Sequence, residues 1–310
     1  MIRTRMLIAA ALVAVSSGAG IAADDADVNE SAAGSGAVSR TAGAAWPAER
    51  MSGARITAPA EVDPAEVAAA ASARAAATGP AGSLAAADAG EARASLKKPL
   101  YWSGKLFYRG SDGDYVCSAQ FVSPTVVMTT ANCVRNGDTG AWYDDFVFAL
   151  GYERGRYIDV FYEDCVATKN GWVQKVPDRY VYDYALIKVT KRSPTGHFGM
   201  HWNWAGKYRE GARVGYLKGK GNGEDPSVDT GRLAVADGLV GFRHGSRANQ
   251  AGINGAAFIG AFSQSEKSDE GNYVVSVDSF SFRDEPGTNY GPYLDSSFKD
   301  MFDYVERGCR

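Results

Sequence analysis

Histidine and cysteine are both scarce in this 310-residue chain: three histidines, at 197, 201 and 244, and four cysteines, at 117, 133, 165 and 309. No two cysteines form a CxxC pair and no histidine lies near a cysteine, so the ligand spacing of a structural zinc site is missing. No metal or other cofactor is expected. Long apolar runs are missing too. Leu7–Val15 holds nine apolar residues, against the ~20 that a bilayer-spanning helix needs, so no membrane span is expected. The formal charge is only −3, with bases scattered among acids. That leaves no electrostatic case for nucleic acid or an anionic membrane as a partner.

What is present divides the chain into three. Residues 1–23 read as a secretory signal peptide: Arg3 and Arg5 without an acid, then the short apolar core, then small residues to Ala22-Ala23. Its removal takes the formal charge from −3 to −5 and places the chain outside the cytoplasm, secreted to the extracellular space or the periplasm. Residues 24–98 are rich in Ala and Gly, with Trp46 as the single aromatic. Such a segment buries too little apolar area to offset its chain entropy, and reads as a mostly disordered pro-segment or linker, with a transient helix over Glu61–Ala77.

From residue 99 to 310 aromatics become frequent, and short extended runs alternate with Gly, Asn and Asp turns. Strands are expected at Gly104–Tyr108, Tyr115–Val122, Val126–Thr130, Phe146–Tyr152, Gln174–Val176, Tyr184–Val189, Arg213–Leu217, Gly231–Val240, Ala257–Phe262 and Tyr273–Phe282. Phe298, Met301, Phe302 and Val305 then recur at helical spacing, predicting a helix over Ser296–Arg307 capped by Ser296 or Ser297. The reading is an all-β domain, sandwich or barrel, closed by a C-terminal helix. Four cysteines in a secreted chain imply two disulfides, with three possible connectivities.

The stretch Cys117–Val134, CSAQFVSPTVVMTTANCV, is the most distinctive. It resembles the loop that carries the catalytic histidine in trypsin-like, chymotrypsin-fold serine proteases of the bacterial secreted type. Asp183-Tyr184-Ala185-Leu186-Ile187-Lys188-Val189, Val275–Phe280 and Tyr290-Gly291-Pro292-Tyr293 extend the likeness, and Trp46–Met51 resembles an element upstream of the protease domain in that family. The resemblance implies two packed antiparallel β-barrels with a C-terminal helix, and it selects the pairs Cys117–Cys133 and Cys165–Cys309.

It also implies a site with two losses. Asp183 matches the carboxylate that orients the base. The histidine position is Asn132, whose amide is no base near neutral pH. Gly252-Ile253-Asn254-Gly255 is similar to the nucleophile turn, with Asn254 in place of serine, and Gly252 and Asn254 would supply oxyanion-type N–H groups. The implied function is a pseudoprotease that binds a protein or an extended peptide by strand addition. The alternatives are an active serine endopeptidase whose residues lie elsewhere, with His244 and Ser246 as the obvious pair, and a structural envelope-associated β-barrel. His201, flanked by aromatics, is expected to pack on the barrel.

Overall fold

The computed structural model describes residues 28–32, 46–64, 67, 79–88, 96–174, 179–245, 254–265 and 270–310. The expected signal peptide, positions 175 and 176 of one expected strand, Ser246 and Gly252 lie outside them.

Aromatic packing organises the first unit. Phe121, Phe148 and Phe161 meet edge-on or tilted, with ring centroids 4.9–6.1 Å apart, and the strands that carry them wrap around this centre. Ser103–Gly110 pairs with Gly113–Phe121, then Val126–Thr129, Ala185–Val189, Asp159–Lys169 and Asp144–Leu150, which returns to Ser103–Gly110. All six pairings are antiparallel and the ring is closed, which removes free edges between its members.

The second unit runs Thr288–Pro292, Leu239–Arg243, Ser227–Ala236, Glu210–Gly215, Ala257–Gly260, Tyr273–Val277, again antiparallel. Ser276 Oγ donates to Pro292 O at 2.8 Å, so the two ends of this path curl together. Among the described residues no ladder closes it, so this second unit is a curled sheet beside one closed barrel. Apolar residues of both units, among them Val126, Met128, Leu186, Val214, Ile259 and Val274, share one core between them.

The all-β class and the terminal helix agree with expectation; several details do not. Gly231–Val240 is not one strand. Asp237 (φ 54°) and Gly238 (φ 73°) make a tight turn between Ser227–Ala236 and Leu239–Arg243, the Asp-Gly signal of a two-residue hairpin. Asp159–Lys169 and Thr288–Pro292 are strands that the sequence reading lacked. The helix spans Ser296–Glu306, and its cap is Asp295, whose carboxylate accepts from Phe298 N at 3.1 Å. Cys165–Cys309 ties that helix end to the barrel, and Cys117–Cys133 closes the first loop.

The largest departure concerns residues 24–98. Val28–Ala32 pairs with Asp159–Lys169, Arg55–Ile56 with Gly113–Phe121, Ala60–Val62 with Phe280–Phe282, and Gly82–Leu84 with Gly199–Trp202. Trp46 is buried against Phe107, its Nε1 donating to Asp145 O at 2.7 Å. Arg50 lies over the Trp46 ring and binds Asp114 and Asp145 at 2.7 and 2.6 Å. The described parts of this segment are thus joined to the fold. Composition misses this because the segment contributes mainly backbone hydrogen bonds to strand edges and only a few apolar anchors.

Candidate functional site

Three short turns meet where the two units abut. The first, Ala131–Cys133, follows the buried strand Val126–Thr129 and is pinned by the Cys117–Cys133 bond. The second, Arg179–Tyr182, delivers Asp183 just ahead of Ala185–Val189. The third is Asn254-Gly255, ahead of Ala257–Gly260. Gly255 has φ +88°, and a Cβ there would stand 2.2 Å from Ser118 O and 2.3 Å from Thr129 Oγ1. Only glycine lets this turn lie so close to the first barrel.

Asp183, Asn132 and Asn254 form one hydrogen-bonded chain. Asn132 donates to Asp183 twice, from its backbone N–H to Oδ1 at 2.8 Å and from Nδ2 to Oδ2 at 3.0 Å. Asn254 Nδ2 donates to Asn132 Oδ1 at 3.1 Å, and Thr130 Oγ1 donates to the same oxygen at 3.0 Å. The carboxylate dictates these orientations. An ionised Asp183 only accepts, so Asn132 must turn its NH₂ toward it and its oxygen toward Asn254. Ser279 Oγ supplies a further donor to Asp183 Oδ2 at 2.5 Å. In the sequence Ser279 stands out only as part of Val275–Phe280, and nothing local marks Thr130.

Asp183 is wholly buried, and that burial pushes its carboxyl up to about 6, against the opposing hydrogen bonds of Ser279, Asn132 and Ala131. A second buried carboxylate, Asp278, props the Asn254-Gly255 turn. Its backbone O accepts from Gly255 N at 2.9 Å and its N–H donates to Ala256 O at 2.7 Å. Its side chain is held by Arg213 at 2.7 Å and Asn289 Nδ2 at 2.8 Å. Burial raises its pKa while Arg213 opposes the shift.

His244 and His201 lie away from this chain of hydrogen bonds. His244 Nε2 donates to Asn289 Oδ1 at 3.0 Å and its ring stacks on Phe242. His201 is buried, with Nδ1 2.8 Å from Tyr208 Oη, and packs against Tyr208 and Tyr273 as expected. Among the described residues no three His, Cys, Asp or Glu side chains group as a metal site, and no helix is long and apolar enough to cross a membrane.

The Asn chain opens into a cleft of ≈ 470 Å³ lined by Tyr108, Tyr115, Tyr143, Asn136 and the N-terminal residues Thr57 and Ala58. Asn254 N–H points at Thr57 O (3.0 Å), and Asn254 Nδ2 also reaches Ala58 O (3.1 Å). Asn254 Oδ1 is buried and has no hydrogen-bond partner among the described residues.

No family model matches the chain, and no curated protein sequence matches it. Solved structures do. The thermostable serine protease AL20 from an extremophilic microorganism is 21% identical with TM-score 0.55, over 67% of this chain and 98% of that one. The protease Anisep from Arthrobacter nicotinovorans is 20% identical with TM-score 0.54, over 67% and 97%. A Glu endopeptidase is 13% identical with TM-score 0.56, over 72% and 97%. Taken with the closed barrel, the curled second sheet and the terminal helix, these likenesses identify the fold as that of the chymotrypsin-like serine proteases.

Proposed function

We propose that this chain is a secreted serine-protease homologue without proteolytic activity, a pseudoprotease whose cleft binds an extended protein or peptide segment. The carrying observation is the amide-to-amide bond from Asn254 to Asn132, continued to Asp183. Acyl transfer by this fold needs a hydroxyl nucleophile next to a group that takes its proton. Here both positions hold amides: Asn132 donates to Asp183, and Asn254 donates to Asn132 and to Ala58. An amide takes up no proton near neutral pH, and loss of base or nucleophile costs about a millionfold in turnover. Asp183 then acts as an anchor that orients Asn132, with no imidazolium for its charge to stabilise.

Binding remains chemically open to such a site. Backbone groups at the Asn254 turn and beside Phe280–Phe282 form the row of donors and acceptors that strand addition uses, and residues 57–62 of the chain already pair with them. The pair of disulfides suits an oxidising compartment, in keeping with export to the extracellular space or periplasm.

The test is direct. The purified chain is expected to take no label from a fluorophosphonate and to leave a fluorescent protein substrate uncut. Labelling or cleavage that disappears in Ser246→Ala or His244→Ala would reveal an active endopeptidase and overturn the reading.

A further inference from the structure

One wall of the cleft is already an extended peptide, residues 57–60, and it belongs to the chain itself. Arg55–Ile56 lies parallel to Tyr115–Val116, and Thr57 N–H donates to Val116 O at 3.0 Å. Thr57 O then accepts the backbone N–H of Asn254, Ala58 O accepts its Nδ2, and Thr57 Oγ1 sits 2.8 Å from Tyr108 Oη. Beyond Pro59, Ala60–Val62 runs parallel to Phe280–Phe282, with Arg283 N donating to Val62 O at 3.2 Å. Val62 is buried beside Val181, Leu239 and Phe280. Eight residues therefore bridge the first barrel to the second sheet directly over Asn132 and Asn254.

We propose that Arg55–Val62 is a ligand held in cis: the cleft recognises an extended peptide with small residues over the Asn chain, and the chain's own copy keeps it occupied. This rests on the peptide-binding reading above. Side-chain chemistry defines the ligand class. Thr57, Ala58, Pro59 and Ala60 are all compact, and Pro59 favours extended backbone while bringing no N–H that the cleft would have to satisfy. Recognition passes through the carbonyls of Thr57 and Ala58, which any sequence offers, so small size over the Asn chain is the selective feature.

The occupant is anchored from outside the cleft. The helix Ala48–Gly53 precedes it, with Trp46 buried and Arg50 bridging Asp114 and Asp145. Among the described residues it also leaves Asn254 Oδ1 without a hydrogen-bond partner. An incoming peptide that brings an N–H or O–H donor to that oxygen satisfies an acceptor that the cis copy does not, and so has a chemical basis for displacing it.

Two full-length variants release the strap and leave Asp183, Asn132 and Asn254 themselves unchanged: Arg50→Ala removes the anchor, and Thr57→Pro removes the N–H bonded to Val116 and the hydroxyl at Tyr108. Binding of fluorescein-labelled Arg-Ile-Thr-Ala-Pro-Ala-Glu-Val is followed by anisotropy, and exposure of residues 55–62 by amide hydrogen exchange. Slow exchange in the intact chain and fast exchange in the variants are expected. The variants should bind the peptide about tenfold more tightly, for a tether giving an effective concentration of about 1 mM against an affinity of about 0.1 mM. Equal affinity for intact chain and variants refutes the cis ligand alone, as does exchange that stays slow in both variants. Absence of binding by variants whose strap has been released refutes the peptide-binding reading beneath it.

Discussion

Asp183 makes the packing of the Asn chain measurable. Burial pushes its carboxyl from 3.8 up to about 6, while in the unfolded chain it titrates near the ordinary carboxylate value. The folded state therefore holds the proton more tightly, and between pH 6 and 4 it is protonated while the unfolded state is not. Above about pH 6 the buried charge costs stability; as pH falls towards 4 that cost is relieved, so this group makes the protein more stable in mild acid. The shift corresponds to about 3 kcal/mol in full, of which about 2 kcal/mol is recovered on going from pH 7 to pH 4.5. Other carboxylates act in the opposite sense, Asp114 among them, held below its ordinary value chiefly by its hydrogen bond from Arg50. The assay is accordingly a difference of differences: urea unfolding of the wild type and of Asp183→Asn, each at pH 7 and pH 4.5. The wild type should gain about 2 kcal/mol relative to the variant on acidification. In Asn132→His the gain should shrink, because an imidazolium beside Asp183 favours the carboxylate. A relative stability that does not change with pH would mean that Asp183 is solvated, and the tightly packed amide chain would be wrong.

The remaining predictions concern the frame around the site. Cys165–Cys309 closes a loop spanning 144 residues and Cys117–Cys133 one spanning 16; replacing each pair with alanine should cost about 5 and about 3 kcal/mol in urea unfolding, in that order. Gly255→Ala places a Cβ 2.2 Å from Ser118 O at φ +88°, and should lower stability by about 2–4 kcal/mol and displace Asn254, read as loss of amide protection at Ser118. Arg213→Met strands the buried Asp278 carboxylate and should cost about 3–5 kcal/mol at pH 7 by thermal melting, with Asp278→Asn in the same chain restoring part of it.

Parts of the site were legible because their signals are local. The spacing of Asn132 from Cys133, and Asp183 ahead of a buried apolar strand, sit within runs of fewer than ten residues. Ser279 was not, because its role depends on Asp183, 96 residues away. The Asp159–Lys169 strand was overlooked for a related reason: Glu163 and Asp164 interrupt its apolar alternation, and pairing with Ala185–Val189 and Asp144–Leu150 makes it a strand.

By itself, the sequence determined the all-β class, the amphipathic C-terminal helix and the identities of Asn132 and Asn254, since side-chain type and periodicity are properties of neighbouring residues. Tertiary structure alone decided that the first ring closes, that Asp295 rather than a serine caps the helix, and that Arg55–Val62 lies across the cleft. Backbone donors and acceptors are the same in every residue, so composition does not reveal which distant strand edge they will find. That is why an Ala-rich segment with one aromatic is read as a disordered pro-segment or linker, yet its residues 55–62 pair with both units and meet Asn254.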